Sequence, residues 1–447
     1  MANLKLPIQE LIKELDRLPV WEQGVAMWEE TFAKLAGFYG FEKCVPSLIE
    51  DARHFLPLAK FDLLGERPPL MCRLRQGGEV MLRSSMALSL VRAVQAHKMY
   101  EQGASLKLFS MGESFFAQAT LPFASIREET LLIMGEEGPI AEAELIQILW
   151  KAFTERGVDM EKMKLVLNAT GCTQCRPQFR SVFLPYVRNR ASRLCKDCKK
   201  FLKQRPTRIL SCAEEKCKMV AHHAPQILDF LCDPCKKQLR GLLEFLDEGR
   251  IPYFLDAKLF REGTWFSMST FVMVGDGVAL LGEAEGGSAS LLSLSPSPYG
   301  HGRVLCAEGG RMGRAAELLM GRPTSVVTAT LFPDIAHRLF THTHQGSFTV
   351  SSAEVFLIQL GELAKRKSLF LLESLRQGGI QTRESLGRDS IKSQLRAAER
   401  TGVGIALILG QKEALDGTVI VRETSSGIQE TVPQEKLIDL LKRKLKK

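Results

Sequence analysis

The sequence predicts an α+β protein in which a mixed helix-and-strand region is interrupted by a cysteine-rich helical insertion and followed by a compact α/β domain. Three observations lead there. Eight of the 11 cysteines lie between Cys172 and Cys235, where even spacing would place about 1.6. Residues 1–165 alternate apolar patterns of helical period with strand-like runs, and from about residue 353 the order becomes strand, helix, strand, helix. The 447 residues are 45% hydrophobic and 25% charged, enough for several buried cores at roughly 100–200 residues per domain. The expected divisions are 1–169, the insertion 170–250, the return segment 251–340 and the last domain 353–447.

Composition excludes several classes. Mean hydropathy is −0.04, and no run of roughly 18 apolar residues occurs, so a helical membrane span is not expected. The opening MANLKLPIQELIKELDRLP carries acids and lacks the unbroken apolar stretch of a secretory signal. A cytoplasmic, reducing location and no membrane partner follow as expectations. Sixty Lys and Arg against 51 Asp and Glu give a net charge of +9, compatible with a polyanionic partner.

Along the chain, residues 20–40 place apolar side chains at helical spacing with a glycine near the end. FEKCVPSLIE reads as a short strand that Pro46 confines to an edge or interface. LKLFSMGESFF and ETLLIMGEE read as strands around a polar connection, before the amphipathic helix PIAEAELIQILWKAFTERG. Residues 251–330 read as short strands with glycine-rich turns, SLLSLSPSPYGHG as a loop, and FTHTHQGSFTVSS as a linker. Neither a GxxxxGK[ST] loop nor a GxGxxG turn after a strand is present.

The clustered cysteines form pairs: Cys172 and Cys175, Cys195 and Cys198, Cys212 and Cys217, Cys232 and Cys235. A two-residue spacer lets two thiolates reach one tetrahedral ion at about 2.3 Å each, and nearby lysines such as Lys196, Lys199 and Lys236 favour the thiolate. Structural zinc, one or two ions, is the expected cofactor; disulfides, disfavoured in a reducing compartment, and free thiols are the alternatives. Four thiolates close the coordination shell, so this region is read as structural. His222 and His223 are reserve ligands, His342 and His344 read as surface residues, and Cys44, Cys72 and Cys306 as buried small hydrophobes.

SLGRDSIKSQLRAAERTGVGIALILGQKEALDGTVIVRETSSGIQETVPQEKLIDLL closely resembles the C-terminal anticodon-binding domain of histidyl-tRNA synthetases. The resemblance extends at lower similarity over nearly the whole chain: DRLPVWEQGVAMWEETFAKLAGFYGFEKCVPSLIE is similar to the opening helix and motif 1, with Pro46 at the motif-1 proline. RPTRILSC and APQILDFLC resemble parts of an insertion found in some bacterial members. It implies a class II synthetase-like antiparallel sheet core, a homodimer through motif 1, and tRNA as partner. The catalytic motifs depart from the family pattern. The amino-acid loop LRPEGT reads Leu82-Arg83-Ser84-Ser85-Met86-Ala87, and motif 2, FRxE, reads Phe115-Phe116-Ala117-Gln118. RGLDYY reads Arg261-Glu262-Gly263-Thr264-Trp265-Phe266, GGRYDG reads Gly309-Gly310-Arg311-Met312-Gly313-Arg314, and the motif 3 arginine has at most Arg338 as a counterpart.

Adenylate formation depends on cations held against phosphate charge, and losing one such group commonly costs on the order of 10²–10³ in rate. The resemblance therefore implies a protein that binds tRNA without activating histidine, and it leaves ATP and Mg²⁺ in doubt. The other readings are a divergent working ligase and, last, a regulatory subunit like that of ATP phosphoribosyltransferase. Arg83, Arg127 and Arg261 are either remnants of the catalytic site with anion affinity or structural ion-pair residues. Arg388, Lys392, Gln394, Arg396 and Arg400 are the tRNA candidates: cations for phosphates, Gln394 for a base edge, with a merely solvated helix face as the alternative. The tail Lys442–Lys447 adds non-specific attraction.

Overall fold

The computed structural model describes residues 19–64, 67–101, 105–117, 124–203, 205–212, 214–260, 265–276, 303–341, 353–384 and 390–445. The chain divides into two compact units, Met1–Gly346 and Ser347–Lys447. The cysteine-rich insertion shares the first unit with the flanking segments.

The strands of the first unit are β1 (Glu42–Lys43), β2 (Ile49–Asp51), β3 (Met71–Arg73), β4 (Glu79–Leu82), β5 (Leu106–Phe116), β6 (Ala124–Met134), β7 (Met163–Gly171), β8 (Phe254–Leu255), β9 (Met268–Asp276), β10 (Arg303–Arg311) and β11 (Val326–Leu331). Among the described residues, eight form one sheet in the order β1-β5-β6-β11-β10-β9-β7-β8, while β2-β4-β3 make a small second sheet. The large sheet is antiparallel throughout its middle; β1 and β8 pair parallel at its two edges. The two-residue edge strand β1 stops short of Pro46, whose missing N–H would interrupt a longer ladder.

Both faces of the sheet are covered, and β6 shows it in sequence: Leu131 and Ile133 enter one core while Leu132 and Met134 enter the other. Strand side chains alternate faces, so a strand buried on both sides reads as a continuous apolar run. Helices Pro19–Phe38 and Ile140–Glu155 pack Trp28, Phe32, Ile146 and Phe153 against the first face. Helices Met86–Ala96 and Gly313–Met320 pack Leu90, Val94, Ala316 and Leu319 against the second. Glu128 and Glu129, adjacent in β6 and both fully buried, therefore point to opposite sides.

The insertion leaves β7 at Gly171 and returns through helix Asp233–Glu248. Phe179, Phe183 and Val187 of helix Cys175–Arg188 gather Ile209, Val220 and Ile227 into its own apolar cluster, with Cys175, Cys195, Cys198, Cys217 and Cys235 buried among them and Cys172, Cys212 and Cys232 half-buried beside them. Gly171 has φ +69°, and a Cβ there would lie 2.7 Å from Cys175 Cβ. Only glycine takes that turn without strain. Of the other cysteines, Cys306 is buried and Cys44 half-buried; Cys72 is exposed on β3, against the expectation, because that strand lies at the edge of the small sheet.

The second unit is a five-stranded sheet among the described residues, ordered β13-β12-β14-β15-β16, from β12 (Val355–Gln359), β13 (Thr382–Glu384), β14 (Ile405–Leu409), β15 (Thr418–Glu423) and β16 (Gln429–Pro433). Helices Glu362–Gln377 and Gln434–Lys444 cover one face with Leu371, Leu375, Leu437 and Leu441. Helix Ile391–Thr401 covers the other with Ala398.

Candidate functional site

The second face of the large sheet carries a polar row where a core would be apolar. Ser110, Thr130, Thr330 and Glu308 stand opposite one another on β5, β6, β11 and β10, with the Thr130 and Thr330 hydroxyls hydrogen-bonded at 2.9 Å. Glu128 lies two residues before Thr130 and so points to the same side. It accepts hydrogen bonds from the Ser114 hydroxyl and, at 2.7 Å, from the backbone N–H of Met86. Ser85, at the N-cap of helix Met86–Ala96, makes no capping hydrogen bond. Glu128 takes that orphan N–H instead, an anion at a helix N-terminus.

Arg67 sits in this polar seat. Its guanidinium donates to Glu128 and, at 2.9 Å, to Glu308. Its Cζ lies 5.6 Å from the ring centre of Phe116, 5.5 Å from Trp265 and 5.3 Å from Phe332, within cation–π range of all three. Arg67, Glu128 and Glu308 are all buried. Nothing in the sequence singled out Arg67; the available signal was an arginine directly before two prolines, Pro68 and Pro69, together with two acids inside an apolar strand.

Of the three arginines nominated from sequence, the two described ones, Arg83 and Arg127, do not meet. Arg83 is buried and donates from Nε and Nη2 to the Glu113 carbonyl, at 3.0 and 2.6 Å, and from Nη1 to the Pro46 carbonyl at 3.0 Å. Burial lowers its pKa, with Glu128 and Glu50 opposing. It fastens the segment at Pro46 to β5. Arg127 points to the opposite face of the sheet, where it binds Glu22 at 2.9 Å and Glu29 at 3.4 Å on helix Pro19–Phe38. Both are bound to protein groups. Arg261 lies outside the described residues. Arg311 is also buried, held by Glu142 at 2.6 and 2.9 Å and by the carbonyls of Glu136 and Gly138. Arg338, on helix Pro333–Thr341, lies over the Trp21 ring.

The eight clustered cysteines fall into two tetrads, Cys172, Cys175, Cys232 and Cys235, and Cys195, Cys198, Cys212 and Cys217, with the sulfurs of each within 4.8 Å of one another. A tetrahedron with arms of about 2.3 Å has edges of about 3.8 Å. Cys172 to Cys175 is 3.5 Å, Cys172 to Cys232 is 3.7 Å and Cys195 to Cys212 is 3.9 Å. Backbone N–H groups donate to the sulfurs: Gln174 to Cys172, Cys232 to Cys175, Cys195 to Cys217, and Cys198 to Cys195. Burial pushes the Cys172 thiol up, and hydrogen bonds from the Cys175 and Gln174 backbone N–H groups and with the Cys175 and Cys232 thiols outweigh it, bringing it to about 7. The geometry and donor set fit a thiophilic ion in each tetrad. The first tetrad joins the two ends of the insertion; the second lies within it. His222 and His223 stack on each other instead of joining either tetrad.

In the second unit, Lys392, Arg396 and Arg400 are exposed at four-residue spacing on helix Ile391–Thr401, one stripe of cations. Gln394 is corrected by the structure. It is fully buried, its Oε1 accepting from the Gln359 N–H at 3.0 Å and its Nε2 donating to the Gln359 carbonyl at 2.7 Å. Two residues from Lys392, it turns onto the sheet and brackets β12, so no base edge reaches it. Arg388 and the histidines His342 and His344 lie outside the described residues. Between Cys172 and Arg240, 16 Lys and Arg face 5 Asp and Glu; the rest of the chain has 44 against 46. The positive charge of this protein is concentrated in the cysteine-rich module.

Residues 354–444 match the anticodon binding domain family. Over 425 residues the chain is 27% identical to a histidine–tRNA ligase of Dehalococcoides mccartyi, covering 92% of this chain and 94% of that one. It is 26% identical over 433 residues to that of Thermodesulfovibrio yellowstonii, covering 95% and 96%. Among solved structures, apo histidyl-tRNA synthetase of S. aureus superposes with a TM-score of 0.69 at 20% identity over 93% and 94% of the two chains. A Bacillus halodurans ATP phosphoribosyltransferase regulatory subunit/histidyl-tRNA synthetase gives 0.58 at 15% identity, over 88% and 96%. Both likenesses are of fold.

Proposed function

The chain is a relative of the histidyl-tRNA synthetases over nearly its whole length, and from that premise we propose that it is a tRNA-binding member of the lineage that does not activate histidine. One observation carries this reading. At the position where the resemblance puts the motif 2 arginine stands Phe116, and the guanidinium beside its ring, that of Arg67, is already spent on Glu128 and Glu308. Among the described residues one cation faces two acids, which leaves the group net negative, and the two buried carboxylates repel a phosphate. Arg83 and Arg127 are likewise committed to protein groups.

RNA binding is carried by two basic surfaces: the stripe Lys392, Arg396 and Arg400, and the module with its excess of cations. Two structural zinc ions, one per tetrad, hold the module's loops. A homodimer agrees with six large apolar side chains exposed within residues 38–61: Phe38, Val45, Leu48, Ile49, Leu56 and Phe61.

The test is histidine-dependent ATP–pyrophosphate exchange on the zinc-replete protein, run beside filter binding of tRNA. Background exchange with salt-sensitive tRNA binding is expected. Exchange well above background would establish the second reading, a working ligase, which Arg67 favours in one respect: it brings a guanidinium next to Phe116.

A further inference from the structure

The seat that Arg67 fills is built as a receptor, with walls, floor and charge each supplied by a different element. Phe116 ends β5, Trp265 precedes β9, and Phe332 follows β11; their rings surround the guanidinium at 5.3–5.6 Å. Glu128 on β6 and Glu308 on β10 each take one end of it. The floor is the Ser110–Thr130–Thr330–Glu308 row. Around it, the Ser110 and Thr328 hydroxyls and the Trp265 Nε1–H are buried without a hydrogen-bond partner. Buried donors of this kind are costly, and a face that keeps them is not an ordinary core. The cation itself comes from a connecting segment between helix Ala52–Lys60 and β3, not from the sheet.

We propose that this face is a guanidinium-recognition site, occupied in this chain by its own Arg67, and that the small molecules able to replace that side chain are guanidinium compounds, not nucleotides. The inference rests on reading the pocket as no longer adenylate-forming. A planar guanidinium offers N–H donors on two edges to two carboxylates and both π-faces to aromatic rings. A primary ammonium has neither flat face nor fork, a neutral urea lacks the charge, and ATP meets two acids.

The experiment uses the full chain with Arg67→Ala, titrated by calorimetry with ethylguanidinium, propylammonium, ethylurea and ATP–Mg²⁺ at millimolar concentrations, well below denaturing levels. Saturable binding of ethylguanidinium at least tenfold tighter than propylammonium, absent in the wild-type chain and weakened tenfold or more by adding Glu308→Gln, is expected. Equal binding of the three small probes, no binding of any by a folded variant, or preference for ATP–Mg²⁺ would overturn the proposal. If Arg67→Ala does not fold alone, refolding yield with each probe reads the same selectivity: rescue by ethylguanidinium alone supports the site, and equal outcomes with all three sink it. The two readings separate cleanly. An active wild-type ligase whose Arg67→Ala variant is guanidinium-selective would refute the functional reading and the exclusion of nucleotides while leaving the guanidinium selectivity of the seat; an inactive wild type with an unselective pocket keeps the functional reading and sinks this one.

Discussion

The pocket face of the large sheet and the cysteine-rich module treat charge in opposite ways. Among the described residues of the pocket, one buried cation is matched to two buried acids inside aromatic walls, a pairing made within the protein. In the module, thiols are gathered inside and an excess of Lys and Arg is left around them. A solvent-facing cation keeps its long-range field for a partner, whereas a desolvated pair does not. The part of the chain that resembles catalytic machinery has turned inward, and the inserted part faces outward.

The largest effect expected from breaking this contrast is metal loss. Structural zinc contributes on the order of 10 kcal/mol to small thiolate sites. The purified chain should carry two ions by elemental analysis, Cys175→Ser or Cys217→Ser should each leave one, and strong chelators should abolish the module's protection from proteolysis. A content of one ion in the wild type would undo the two-tetrad assignment.

Next comes the buried pair. Arg67→Met leaves Glu128 and Glu308 facing each other without a cation, and removal of one partner of a buried pair costs about 3–5 kcal/mol. Denaturant unfolding of Arg67→Met beside Arg67→Met/Glu308→Gln should show the second change recovering part of the loss. Additive destabilisation would mean that the two side chains do not act as a unit.

On the opposite face of the same strand, Glu129 is fully buried with neither carboxylate oxygen hydrogen-bonded. Burial pushes its pKa well up, with Glu29 adding to the shift and Arg127 opposing it. Above the ordinary carboxyl range the unfolded chain gives up this proton while the folded chain keeps it, so stability falls as pH rises, by up to about 1.4 kcal/mol per unit. Glu129→Gln should therefore gain on the wild type with increasing pH, read from unfolding midpoints between pH 5 and 8; a constant difference would show that Glu129 does not titrate this way.

The smallest effect on stability and the clearest on partner binding belongs to the cationic stripe. Lys392→Ala, Arg396→Ala and Arg400→Ala should each change stability by less than about 0.5 kcal/mol. Each should lower the salt slope of tRNA binding by about 1. Gln394→Ala, in contrast, removes two hydrogen bonds to the Gln359 backbone and should destabilise the domain by about 1–3 kcal/mol.

Much of this was legible from local pattern. The long strands β5 and β6, the helix Ile140–Glu155 and the strand–helix alternation of the second unit follow from periodicity, because burial on known faces repeats every two or 3.6 residues. Cysteine clustering marked candidate metal ligands but not their pairing: sequence does not say which two of the four pairs share a tetrad, and the turn at Gly171 and the start of helix Asp233–Glu248 bring Cys172, Cys175, Cys232 and Cys235 together. Arg83 and Arg127 were legible as arginines of interest, but not that they lie on opposite sides of a sheet.

Sequence alone thus determined the long secondary elements, the eight thiols and the cationic module, since each is a property of composition or spacing along one segment; that Phe116 stands at a motif 2 position is what the resemblance implies. Tertiary structure alone decided that Arg67 meets Glu128 and Glu308, respectively 61 and 241 positions away, and that Gln394 turns inward while Lys392 and Arg396 face solvent. A charge reports its value in sequence, but its partner and its exposure are set by which strands the sheet brings side by side, and that is a non-local consequence of packing both faces at once.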